Sequence, residues 1–139
     1  MKLDDIAIVT VNTVAPAATL SGNASLLLRE ISDRVRRLID CGETSAIDLL
    51  AMPLNAADLD WLRERLGTGE IRITLEADGK STLNETNCPG VWWVMHHNPS
   101  GGVMSAFIEV THVPELVKAH VDDVRSGLER LELLIANLS

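Results

Sequence analysis

Turn signals punctuate the middle of this chain at short intervals, and they constrain its fold more than any other feature. Asp78-Gly79 separates two runs of strand character, Pro89-Gly90 separates the second from a third, and Asn98-Pro99-Ser100-Gly101-Gly102 separates the third from a fourth. Connections this short join antiparallel strands. Ile71, Ile73 and Leu75 alternate with Arg72, Thr74 and Glu76, the period-two pattern of a half-buried strand. Ser81–Thr86, Val91–His97 and Val103–Thr111 follow as the next three strands of one antiparallel sheet.

Helical patterns flank these strands. Between Ala24 and Asp40, Leu27, Leu28, Ile31, Val35, Leu38 and Ile39 recur at three- and four-residue spacing and form one stripe. Ser21 or Asn23 is placed to cap the start, Gly42 to end the helix, and the arginines of its last turns suit the helix dipole. Ser45–Leu50 reads as a short strand that Pro53 ends. Asn55 caps a second helix, Ala56–Leu66, with Leu59, Leu62 and Leu66 inward and Gly67 as terminator. Pro114 opens a short helical turn before the last helix, Asp122–Asn137. There Val124, Leu128, Leu131, Ile135 and Leu138 step by four and three residues without a break. Leu131, at the centre of that stripe, is expected in the core, where truncation to Ala costs about 2–5 kcal/mol.

The expected order is α-β-α-β-β-β-β-α. It predicts an α+β fold with an antiparallel sheet of four to five strands and about three helices packed mainly on one face. Residues 1–22 read as an N-terminal arm, partly flexible, with β-propensity at Ile6–Val11 and a loop at Pro16. Residues 23–139 read as a single domain. The length of 139 residues suits one domain with its own core.

The hairpin Val91–Thr111 holds three of the four aromatics of the chain, Trp92, Trp93 and Phe107; Trp61 lies outside it. If the five-residue turn pairs His97 with Val103, Trp92 lies opposite Ile108 and Trp93 opposite Phe107. The first set is then expected to face the helices. Val91, Trp93, Met95, Phe107 and Glu109 share the less covered side, with Trp92 in the core. Two readings follow for the second set. One is a Trp–Phe pair that holds the hairpin together, worth about 0.2–1 kcal/mol. The other is an apolar platform for a partner, with Glu109 to receive an arginine. A one-residue slip would exchange the faces.

The chain is poor in signals of chemistry. A net charge of −8 argues against nucleic acid, which needs a basic face. The start, Met1-Lys2-Leu3-Asp4-Asp5, is no signal peptide, and the longest uncharged run is too polar for a membrane span. Cys41 and Cys88 form neither a disulfide framework nor a C-x-x-C motif, and a cytoplasmic protein with reduced thiols is expected. His96 and His97, adjacent on a strand, point to opposite faces and do not chelate together. His112 and His120 carry no ligand spacing, so no metal and no cofactor is expected.

Two segments carry a family likeness. Glu85-Thr86-Asn87-Cys88-Pro89-Gly90-Val91-Trp92-Trp93-Val94 reads E-T-x-x-P-G-V-W-x-V, and Phe107-Ile108-Glu109-Val110-Thr111-His112-Val113-Pro114-Glu115 reads F-I-E-V-x-x-V-P-E. Together they resemble the C-terminal domain of the HupH/HyaF hydrogenase expression and formation protein family, over roughly Ala24–Leu138. The resemblance implies a cytoplasmic, non-catalytic accessory protein in maturation of a nickel–iron hydrogenase. Its implied partners are the hydrogenase small-subunit precursor or other maturation factors. Glu85, Pro89, Gly90, Trp92, Phe107, Glu109 and Pro114 are the matched signature positions. A Cys88–histidine enzyme or redox carrier, and a homodimeric structural module, stand as alternatives. On this reading Trp93→Ala spares the fold and Trp92→Ala does not.

Overall fold

The structure is a computed structural model that describes residues 19–138. Helix α1 (Asn23–Cys41) leads into strand β1 (Ser45–Asp48) and a 3-10 turn, Leu49–Ala51. Helix α2 (Ala56–Leu66) follows. Then come β2 (Arg72–Glu76), β3 (Lys80–Glu85), β4 (Val91–His97) and β5 (Val103–Val110), a second 3-10 turn, Glu115–Val117, and helix α3 (Val121–Ala136). The fold is α+β in the order expected. The five strands form one sheet, β1-β5-β4-β3-β2, with every neighbouring pair antiparallel. The expected strand at Ile6–Val11 and loop at Pro16 lie outside the described residues.

Local chemistry explains the elements. Asn55 and Asp58 form a reciprocal capping box on α2: the Asn55 side chain accepts from Asp58 N–H at 2.8 Å, and Asp58 accepts from Asn55 N–H at 2.9 Å. Gly67 ends that helix and Gly42 ends α1, as expected. At the start of α1 the N-cap position is Gly22, which has no side chain to cap with. The Ser21 hydroxyl accepts from Asn23 N–H at 3.2 Å. Ser21 also serves α2, donating its N–H (3.0 Å) and hydroxyl (2.6 Å) to the buried Asp58 carboxylate. Asn23 donates its side-chain amide to the Pro53 carbonyl. Three arginines of α1 pair with carboxylates earlier in the helix, Arg34 and Arg37 with Glu30 and Arg36 with Asp33, and Arg34 also donates to the Ala46 carbonyl; none stands in the last turn.

The β4–β5 register corrects the expected one. His97 does pair with Val103, but a bulge follows, and from His96↔Ser105 onward the pairing is displaced by one residue. Met104 is the extra residue of β5, left without a partner on β4. Trp92 therefore lies opposite Glu109, Trp93 opposite Ile108, and Val94 opposite Phe107. Directly opposed residues share a face. Val91, Trp93 and Met95 thus join Ala106, Ile108 and Val110 beneath the helices, with Leu27, Ile31 and Leu38 of α1 and Leu62 and Leu66 of α2. Trp93 is only 7% exposed, so it belongs to the core and not to an open platform.

A second apolar cluster occupies the opposite face: Leu83, Trp92 and Val94 buried, with Ile73, Leu75 and Phe107 around them. The two clusters are offset across the sheet. The helix-side face is apolar on β1, β5 and β4, but turns polar on β3 and β2, where Asn84, Thr82, Arg72 and Thr74 continue the register. The other face is apolar on β4, β3 and β2, and carries Asp48 and Ala46 on β1.

Helix α3 departs from expectation. No side chain on it is buried, and Leu131 is 57% exposed. Its apolar stripe does not pack on the sheet, so Leu131→Ala removes no core contact within the domain.

Two predictions follow from this packing. Trp92→Ala and Trp93→Ala are each expected to destabilise by about 3–5 kcal/mol, since each ring sits in its own core. Urea unfolding checks this, and a Trp93→Ala midpoint equal to wild type would contradict it. The second concerns Asp58, whose carboxyl is held below the ordinary carboxylate range, first by the Ser21 hydroxyl and then by Asn55 N–H, against the cost of burial. A depressed carboxyl stabilises above its unfolded pKa, and the effect fades as pH falls through the folded one. Asp58→Asn is expected to be less stable than wild type at pH 7, with the gap narrowing below about pH 4. Unfolding curves across that range measure it.

Candidate functional site: two clefts astride the signature turn

The segment Glu85–Val91 is a tight turn built around one hydroxyl. Thr86 is buried, and its Oγ1 lies 2.9 Å from the Val91 carbonyl and 3.1 Å from that of Cys88, while accepting from Cys88 N–H at 3.1 Å. One proton serves one carbonyl at a time, and Val91 is the nearer. Gly90 completes the turn at φ 96°, a conformation that glycine adopts without strain. The turn is tied on three sides. Asn87 N–H donates to the Leu66 carbonyl at the end of α2, Gly69 N–H to Glu85, and Thr111 N–H to Gly90. A Cβ on Gly69 would stand 2.4 Å from the Thr86 carbonyl, so that approach requires glycine. Beyond β5, Trp92 Nε1–H donates to the Thr111 carbonyl at 3.2 Å, and Pro114 is buried. The E-T-x-x-P-G and V-P-E motifs thus describe the joint between sheet, α2 and the exit from β5.

A cleft opens on each side of this joint. The first, about 230 Å³, has Arg63, Arg72, Asn84, Glu85, Thr86 and Trp93 among its walls. It lies where the helix-side face of the sheet turns polar. The Arg63 guanidinium stacks over the Trp93 ring, 4.6 Å from its centroid, with Nη2 3.3 Å from Met95 Sδ. Such stacking contributes about 0.5–1 kcal/mol at an open site. The second cleft, about 360 Å³, is an apolar groove between α1 and the turn, lined by Leu28, Val35, Ile39, Leu66, Cys88 and Val91 with Ile31, Ser32 and Arg36. The α1 stripe is wider than the core requires. Leu27, Ile31 and Leu38 are buried; Leu28 and Val35 are half-buried, and Ile39 is 75% exposed.

The residues singled out from sequence do not form one surface. Val91 floors the apolar groove and Trp93 walls the polar cleft, with Met95 half-buried beside Arg63. Phe107 and Glu109 lie on the opposite face, because the bulge reverses β5 relative to β4. Burial there raises the Glu109 pKa, and the attraction of His96 opposes this only partly. Glu85 lines the polar cleft, Pro89 and Gly90 shape the turn, and Trp92 and Pro114 are buried behind it. Sequence reading missed Arg63, Arg72 and the exposed flank of α1.

Among the described residues, no three His, Cys, Asp or Glu side chains converge as a metal site. Cys41 and Cys88 are free and exposed. His96 Nδ1 is 2.7 Å from the Ser81 hydroxyl. No described helix is long and apolar enough to cross a membrane.

Fold and clefts define a small α+β domain with open, groove-like surfaces. Residues 22–138 match the family described as HupH hydrogenase expression protein, C-terminal conserved region, and the chain belongs to that family. It is 30% identical over 111 residues to the hydrogenase expression/formation protein HoxQ of Azotobacter vinelandii, covering 78% of this chain and 39% of that protein. It is 28% identical over 117 residues to HupH of Rhizobium leguminosarum bv. viciae, covering 84% of this chain and 41% of that one. The solved structure of hydrogenase expression protein HupH from Thiobacillus denitrificans is 52% identical, with a TM-score of 0.83 over 86% of this chain and 100% of that one. The chain therefore spans about two fifths of the length of these curated relatives.

Thr86→Val is the test of the joint. Removing the hydroxyl takes the acceptor from Cys88 N–H and leaves the Val91 carbonyl with Thr86 N–H alone, with an expected cost of about 0.5–1.5 kcal/mol in urea unfolding. An unchanged midpoint would show that the turn holds without it.

Proposed function

We propose that this chain is a non-catalytic assembly factor in the maturation of a nickel–iron hydrogenase, acting in the cytoplasm on the small-subunit precursor. The observation that carries this reading is the family match over residues 22–138, whose relatives are named hydrogenase expression or formation proteins. The clefts support it on physical grounds. Both are open, and the apolar groove offers Leu28, Val35, Ile39 and Cys88 to an apolar segment of an incompletely folded partner. Apolar surface left open beside a rigid turn suits recognition more than chemistry. Arg36 at the groove and Arg63 and Arg72 in the neighbouring cleft supply the polar rim of such a surface.

The experiment is capture of the small-subunit precursor by this chain, with Ile39→Asp as the probe. Ile39 is largely exposed, so the variant is expected to fold as wild type, and circular dichroism checks this. A charge at the groove mouth is expected to weaken capture by about tenfold or more, the scale of a lost interface anchor. Capture by Ile39→Asp equal to wild type would remove the groove from the reading. Failure of the wild-type chain to capture the precursor would remove the precursor as partner.

A further inference from the structure

The exposed stripe of α3 is self-complementary. Val121, Val124, Leu128, Leu131 and Ile135, with Leu138 just beyond the helix, are spaced 3-4-3-4-3, the a and d positions of a heptad seam. Each is more than half exposed. A surface helix whose entire seam faces water lacks its partner.

We infer that the partner is α3 of a second copy of this chain, packed antiparallel about a two-fold axis. In an antiparallel pair, a positions face d positions. Val121 then meets the partner's Leu138, Val124 the partner's Ile135, and Leu128 the partner's Leu131, and the two-fold repeats each layer, so every seam residue is used. The same register sets Arg125 beside the partner's Glu132 on one flank of the seam, twice. On the other flank it sets Leu134 beside the partner's Gly127, where no side chain obstructs it. A parallel pair would bring Arg125 beside His120 and Glu132 beside Gly127, with no opposite charges matched. Arg125 is able to turn outward: its contact within the helix, to Asp122, is 4.0 Å long and exposed, and such pairs contribute little. Isologous pairing of this kind closes after two copies.

The test is the solution mass of the full chain. Wild type is expected at twice 15.1 kDa by sedimentation equilibrium. The double variant Leu128→Asp/Leu131→Asp is expected at 15.1 kDa, with unchanged circular dichroism because neither residue touches the core. Charge reversal at the flank reads the geometry independently of the seam. Arg125→Glu sets a carboxylate beside the partner's Glu132, twice per pair, and is expected to loosen the dimer by about tenfold, while Arg125→Glu/Glu132→Arg restores it. A monomeric wild type would overturn the inference. So would a dimer that survives Leu128→Asp/Leu131→Asp, or a charge swap that fails to restore association. Precursor capture by Ile39→Asp is read on α1, so the two ideas succeed or fail separately.

Discussion

One extra residue in β5 decides which side chains the sheet turns toward its helices. Met104 has no partner on β4, and the pairing beyond it is displaced by one. Because side chains alternate along a strand, that single insertion exchanges the two faces of β5 relative to β4. It brings Trp93 against Ile108 under the helices and Phe107 against Val94 on the far side. Without it, Trp93 would pair with Phe107, and Ile108 would leave the helix side for the face that carries Trp92. The domain has two clusters set diagonally across the sheet, one on each face.

The diagonal arrangement places the clefts. The helix-side core ends where β3 and β2 present Asn84 and Arg72, so the end of α2 overlies polar strand and leaves space beside Arg63. The signature turn fills the corner between α2, β3 and β5, and its bonds to Leu66, Gly69 and Thr111 hold that corner rigid. α1, whose stripe is broader than the core beneath it, leaves Val35 and Ile39 open beside the same turn. Motif, cleft and groove are thus neighbours for a structural reason. The signature positions read from the sequence are mostly those that make the joint, and the two clefts lie on its two sides.

Much of this was legible in the residues. Asn55 and Gly67 announced both ends of α2, and the Pro-Gly and Asn-to-Gly turns announced the strands, because caps and turns act over three or four residues. The element order α-β-α-β-β-β-β-α followed from them. The register did not, since a bulge leaves the alternation of each strand intact and changes only their relation. The fate of the α3 stripe was illegible for a related reason: spacing shows that Leu128 and Leu131 need a partner, and not whether it lies in the same chain. The Arg63–Trp93 stacking and the Ser21–Asp58 bond went unnoticed because the partners are 30 and 37 residues apart.

The central claim is that the groove beside the signature turn is where this domain meets its partner. The chain carries its own reporter, since Cys88 is exposed and lines that groove while Cys41 is exposed and does not. Alkylation of both thiols, followed by mass spectrometry with and without the small-subunit precursor, tests the claim most directly. The account expects the precursor to slow modification of Cys88 and to leave Cys41 unchanged. Equal reactivity of Cys88 in the free and bound chain would contradict it.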